Sequence, residues 1–325
     1  MALHSETRPS DATPSMTGFH HGALLYEGAN GFLRATTPFI RDGIDAGEPV
    51  LVAAGKDKIA LLCAELGDQA EQVEFADMAV LGRNPARIIP AWRDFVVRHE
   101  GSAPAVRGIG EPIWAGRSAA ELAECQRHEA LLNVAFTGAT APSLTLMCPY
   151  DVGTLSEPVL SEAARSHPLV KKDGSVRPDE SAGIEQLTQT HLHTPLPEPS
   201  GCPREMEFGL DELHTVRGLV TVAASAGGLG PERSYDLALA ASEVATNSVV
   251  HGGGTGIFRA WSESGGVVCE FRDQGKLDDP LVGREEPLPD GLGRRGLWMV
   301  NQLCDLVQIR VFASGTVVRL HMLPD

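Results

Sequence analysis

Basic residues are scarce in this 325-residue sequence: 27 Lys+Arg face 43 Asp+Glu, a formal charge of −16, and aromatic residues make up only 5%. So acidic a body repels nucleic-acid backbone and anionic lipid unless a local basic patch overrides the average. The densest candidates are only Lys171-Lys172 and Arg294-Arg295. DNA and membrane surfaces are therefore poor first partners. Six cysteines (Cys63, Cys125, Cys148, Cys202, Cys269, Cys304) include no C-x-x-C pair. The clustering that a disulfide scaffold or a structural zinc site needs is absent, and free thiols in a reducing compartment are the simpler reading. The first residues are polar, with no basic start leading to an apolar core, so no secretory signal is expected. No apolar run approaches the ~20 residues that span a bilayer. These absences point to a soluble, cytoplasmic protein, and the 42% of apolar residues is enough for real cores.

The length favours two domains. Between Lys171 and Glu205 lie Pro178, Pro195, Pro197, Pro199 and Pro203 among small polar residues. Proline is excluded from helix interiors and central strands, so 171–205 reads as a Pro-rich linker. It separates a disordered start (1–17) and a first domain (18–170) from a second (206–325). In the first domain, short apolar runs at 23–26, 50–53, 73–75, 105–109 and 144–147 alternate with amphipathic stretches at 32–46, 58–66, 86–99 and 119–136. That alternation predicts an α/β domain with a mainly parallel sheet, and a ligand outside the carboxyl ends of its strands, near Glu27, Asp77, Glu111, Tyr150 and Asp151. The second domain reads as α+β. Helices at 210–226 and 231–250 precede strands at 257–261 and 267–272, a helix at 295–306, and a hairpin pairing 307–312 with 316–322.

Three constellations in the second domain carry chemistry. Glu243, Asn247 and His251, spaced i, i+4, i+8, share one helix face, beside an apolar face of Leu237, Ala241, Val244 and Ser248. A carboxamide oxygen is a hard Mg²⁺ ligand and a carboxylate can deprotonate a nucleophile; the plain alternative is a solvated helix face. Asp273-Gln-Gly275 ends a strand, where a carboxylate can accept from an exocyclic amine while the backbone stays close to a base. Gly291, Gly293 and Gly296 precede or open a helix, where glycines permit close approach to phosphates and the helix terminus supplies N–H donors; the plain alternative is a flexible surface loop.

In this order the three elements resemble the GHKL (Bergerat) ATPase domain, and within it the anti-sigma-factor serine kinases of Gram-positive bacteria. The resemblance covers 206–325 through Glu243 to His251, Asp273 to Gly275 and Gly293 to Asp305. It implies that Glu243 activates the attacking hydroxyl, that Asn247 coordinates Mg²⁺ on the phosphates of ATP, and that Asp273 binds the adenine amine above Gly275. It further implies a lid of Gly291, Gly293 and Gly296, with His251, Arg295, Leu297 and the hydroxyl of Thr316 completing the nucleotide site. The family's Asp-x-Gly-x-Gly is here Asp273-Gln-Gly275-Lys-Leu277, without the second glycine. The implied activity is an ATP-dependent anti-sigma factor that binds a sigma factor, phosphorylates an anti-anti-sigma (STAS-type) protein on serine, and acts as a homodimer. A sensor histidine kinase, or a non-catalytic ATP-binding module, is the alternative.

The first domain resembles the sensory domain of methanogen and methylotroph regulators, similar in plan to RecA-type folds. The resemblance rests on His21 to Tyr26, Gly110 to Trp114, Cys125 to Asn133 and Met147 to Asp151. It implies a sensor for a small-molecule ligand or another protein. There is no Gly-x-x-x-x-Gly-Lys-Ser/Thr, so nucleotide hydrolysis is not expected there. Cys125 and His128, i and i+3 on a helix, together with Cys148, invite a metal or redox role; the plain alternative is buried cysteine beside a satisfied histidine.

Overall fold

In the computed structural model, which describes residues 18–137, 143–172, 175–178, 183–263, 265–287 and 295–324, each half of the chain builds its own sheet. The first contains β1 (Phe19–Tyr26), α1 (Gly28–Asp45), β2 (Val50–Ala54), α2 (Lys56–Leu66), β3 (Val73–Asp77), α3 (Met78–Leu81), α4 (Ile88–His99), β4 (Val106–Gly110), α5 (Ala119–Ala135) and β5 (Leu144–Asp151). It continues through α6 (Glu157–Ser166), β6 (Leu169–Lys172), β7 (Ser175–Pro178) and α7 (Ile184–His193). The strand order is β3-β2-β4-β5-β1-β6-β7, parallel throughout except for β7, which runs antiparallel to β6. Helices cover both faces, so β2 is buried along its whole length. Its residues alternate between two cores: Leu51 and Ala53 face Trp92, Phe95 and Leu131, while Val50, Val52 and Ala54 face Phe32, Ile40 and Leu62.

α5 departs from the expected amphipathic stripe. A capping box between Ser118 and Glu121 starts it. Residues 124, 125 and 127–133 are then buried on all sides, Glu124, Arg127, His128 and Glu129 included. A helix buried all round has neighbours all round: the sheet lies on one side, and α7 and the second domain on the other.

The second unit comprises β8 (Arg204–Phe208), α8 (Leu213–Ala226), α9 (Pro231–His251), β9 (Gly256–Glu263), β10 (Gly266–Asp273), α10 (Arg295–Leu303), β11 (Leu306–Phe312) and β12 (Gly315–Met322). Its antiparallel sheet has the order β11-β12-β10-β9-β8. Helices pack on one face, with Val220, Leu237, Ala241 and Val300 against Phe258, Phe271 and Leu320. Gly230 and Pro231 open α9, a cap and first-turn pair suited to a helix start.

The stretch 171–205 differs from a plain extended linker. It includes the end of β6, then β7, and α7 buries Leu187, Thr188 and Leu192. The proline-rich remainder is pinned to the second sheet. Glu198 bridges Arg259 (2.9 Å) and Arg272 (3.0 Å), and the Pro197 carbonyl accepts from Arg319. Among the described residues no helix is long and apolar enough to cross a membrane. Residues 1–17, with Gly291 and Gly293, lie outside the described residues.

Candidate functional site

The C-terminal end of α9 meets the end of β10 around Asp273. Ser248, one position after Asn247, donates its hydroxyl to Asp273 Oδ2 at 2.6 Å, and the Gly275 N–H donates to Oδ1 at 2.8 Å. Two donors fix the carboxylate's plane while leaving lone pairs on both oxygens. A β-carbon at Gly275 would stand 2.9 Å from Asp273 Oδ1 and 3.0 Å from the His251 carbonyl, so this turn closes only around glycine. The β11–β12 hairpin adds the third wall. Gly315 has φ +134°, and a β-carbon there would lie 1.8 Å from the Asp273 carbonyl. Thr316, in register with Asp273, donates its hydroxyl to the Gly275 carbonyl at 2.7 Å.

These elements enclose a cavity of about 320 Å³ lined by Asn247, His251, Asp273, Gly275, Leu277, Leu297 and Thr316, with Val244, Val282 and Val318 as apolar walls. An apolar slot with a few convergent polar groups is the usual form of a small-molecule site. Glu243 lies one turn before Asn247, against the start of α10: a β-carbon at Gly296 would be 3.0 Å from Glu243 Oε2 and 3.3 Å from Asn247 Nδ2. Arg295 is exposed on that first turn. The oriented N–H groups of the α10 terminus thus stand next to the Glu243–Asn247 pair. Leu277, in place of the second glycine, puts a side chain into the cavity wall and packs on the core. Sequence reasoning missed Ser248, whose only signal was a hydroxyl within an apolar helix face.

Residues 20–168 match the model of the MEDS family, the methanogen/methylotroph, DcmR sensory domain, and residues 206–322 match the histidine kinase-like ATPase domain. The chain joins a MEDS sensory domain to a histidine kinase-like ATPase domain. No curated protein matches it. Among solved structures it is similar to the RsbU and RsbW domains of a Mycobacterium tuberculosis protein, at 21% identity over 38% of this chain and 32% of that one, with a TM-score of 0.29. The chain therefore spans about a third of that structure's length.

The MEDS domain grips the far end of α10. Arg87 donates to the carbonyls of Asn301 (2.9 Å), Gln302 (2.6 Å) and Cys304 (2.9 Å). Asn84 reaches both the carbonyl and the side-chain oxygen of Asn301, each at 3.0 Å, and Arg83 pairs with Asp305. A guanidinium over the last carbonyls satisfies groups a helix end leaves open and complements its dipole. A second contact centres on Glu124 of α5, fully buried and met by Arg310 of β11 (2.7 Å), Arg284 (3.3 Å) and Arg127 (3.6 Å). Burial opposes ionisation of Glu124, but the three guanidiniums outweigh it and hold the carboxyl below its ordinary value.

At the strand ends of the MEDS domain, Tyr26 donates to Glu111 at 2.7 Å and Lys58 pairs with the same carboxylate; Asp77 caps α3 and Tyr150 is buried. Burial raises Glu111 above the usual carboxylate range despite Lys58. Cys125 and His128 do not share a metal group among the described residues; Cys125 donates to the Pro112 carbonyl, and only Cys148 joins a group of ligating side chains.

Proposed function

We propose that the chain is an ATP-dependent partner-switching regulator. In this reading the ATPase domain binds ATP with Mg²⁺, holds a sigma factor inactive, and phosphorylates a serine of a STAS-type anti-anti-sigma protein; the MEDS domain biases the switch. The observation that carries it is that one cavity presents both Asn247 and Asp273, with Glu243 one helical turn away beside the start of α10. The apolar walls suit a purine, and Asp273 has acceptor capacity left for an exocyclic amine, so the residues present fit the nucleotide. The bound nucleotide supplies a transferable phosphoryl group. Asn247 would give its amide oxygen to Mg²⁺, and Glu243 would orient a serine hydroxyl and take its proton. The α10 terminus, Gly296 and Arg295 would meet negative charge. Phosphoryl transfer asks for this positioning and charge neutralisation more than for covalent chemistry.

A phosphoacceptor role for His214 is disfavoured, because it sits exposed in the first turn of α8, inside the ATPase domain itself. The test is transfer of ³²P from ATP to a STAS-type protein by the full chain, with Glu243→Ala as control. Acid-stable phosphoserine on the partner, lost with Glu243→Ala, is expected. ATP binding with no accepted phosphate would reduce the domain to a binding module, a reading that Leu277 favours.

A further inference from the structure

One side-chain cluster in the MEDS domain belongs to neither the nucleotide cavity nor the domain contact. His21 of β1, Glu129 of α5, Cys148 of β5 and His167, between α6 and β6, are all buried, and one ligating atom from each lies within 4.8 Å of every other. His21 Nε2 is 3.1 Å from Glu129 Oε2 and 3.3 Å from Cys148 Sγ, and His167 Nε2 is 3.2 Å from Glu129 Oε2. Metal–ligand bonds of about 2.0–2.3 Å give a tetrahedron edges of roughly 3.3–3.7 Å, close to these separations.

The surrounding hydrogen bonds fix which ring nitrogens carry protons. Asn133 spends its amide N–H groups on the carbonyls of Glu129 (3.1 Å) and Ser166 (2.9 Å), so its oxygen must accept from His21 Nδ1 (3.2 Å). His167 Nδ1 faces the Ala163 carbonyl at 2.7 Å and donates to it. Both neutral rings then turn the Nε2 lone pair toward the Glu129 carboxylate, acceptor against acceptor, while the Cys148 thiol donates to His21 Nε2. Neither Glu129 oxygen nor His167 Nε2 has an aligned hydrogen bond. Among the described residues, the ion-pair partners of Glu129 are these two histidines, whereas Glu124, on the same helix, is met by arginines. Positive charge is missing at the centre of the cluster. Two buried imidazoliums would be a costly way to supply it.

We propose that His21, Glu129, Cys148 and His167 form a closed four-ligand site for a divalent transition metal, with Zn²⁺ the best fit. Two imidazoles, a carboxylate and a thiolate form a donor set of borderline softness suited to Zn²⁺, and four protein ligands leave no position for water. Binding breaks the Cys148 S–H bond, forms a metal–sulfur bond and releases one proton to solvent. The ion's two charges are then balanced by the Glu129 carboxylate and the Cys148 thiolate, so the filled site is neutral and tolerates full burial. Asn133 and the Ala163 carbonyl hold the rings in the ligating tautomer. The site ties α5 to β1 and β5, and α5 carries Glu124 to the ATPase domain. The proposal does not depend on the nucleotide reading.

The test uses the full chain, freed of metal by a chelator and titrated with Co²⁺ alone. One equivalent should bind with tetrahedral visible bands and a thiolate-to-cobalt charge-transfer band, and one equivalent of Zn²⁺ should abolish both. Cys148→Ser should lose the charge-transfer band, and Asn133→Ala should weaken Co²⁺ binding by about 10-fold or more. Circular dichroism checks that the variants fold, and the wild-type titration stands without them. No cobalt spectrum in the wild type, or the same charge-transfer band in Cys148→Ser, would overturn the assignment.

Discussion

The two ends of α10 are finished in opposite ways. Its C-terminal end is saturated: Arg87 and Asn84 occupy the carbonyls of Asn301, Gln302 and Cys304, and Asp305 is paired with both Arg83 and Arg233. Its N-terminal end stands beside Glu243 and Asn247, next to a cavity whose polar groups keep spare bonding capacity. One end is held by the MEDS domain and the other faces the cavity lined by Asn247 and Asp273. In the proposed regulator, a shift at the clamped end would move the first turn of this helix relative to Glu243 and Asn247.

That contrast can be broken from either side. Glu124→Ala has the largest expected effect. Leaving Arg284 and Arg310 buried without their carboxylate should cost about 3–5 kcal/mol, read in calorimetry as a lower Tm or as separate unfolding of the two domains. Asp273→Asn acts at the cavity, away from the clamped end of α10. Exchanging an acceptor oxygen for a donor amide should weaken ATP by about 10-fold, an amount typical of one hydrogen bond, and erase preference over GTP in a titration. Arg87→Ala should release α10 without unfolding either domain. Faster hydrogen exchange in 295–303 and an ATP affinity changed by about 5-fold, the low end of allosteric coupling, are expected; unchanged affinity would make the clamp purely structural.

The smallest effect concerns pH. Burial, then Arg319, lowers His321 from 6.5 to about 4. The unfolded chain therefore takes up a proton that the folded one refuses. The contribution is fully present above pH 6.5 and is lost as pH falls toward about 4. His321→Gln should flatten the fall of Tm across that window, and an unchanged slope would place the acid sensitivity elsewhere.

The parallel and antiparallel sheets were legible in the sequence, because period-2 and period-3.6 apolar patterns survive without knowledge of tertiary contacts. That Asn247, His251, Asp273 and Gly275 line one cavity was legible for a related reason: Asn247 and His251 lie on one helix face, and Asp273 to Gly275 is a continuous turn. What is assembled across long separations was not. His21, Glu129, Cys148 and His167 have no diagnostic spacing, and the missing C-x-x-C pattern gave no hint of the four ligating side chains that the fold brings together. Of the three residues considered, Cys125, His128 and Cys148, only Cys148 joins the group of ligating side chains found among the described residues. Arg87 and Glu124 read as ordinary charges on helical stretches, since the partners they reach in the second domain lie more than 150 residues away. Proline content concealed α7, because its prolines fall on either side of 184–193.

The most direct measurement is a titration of the full chain with ATP in the presence of Mg²⁺, comparing wild type with Asn247→Ala. One nucleotide per chain should bind the wild type, and Mg²⁺-dependent binding should vanish in a variant whose circular dichroism is unchanged. Equal affinity in the two proteins, or no binding by either, would contradict the account.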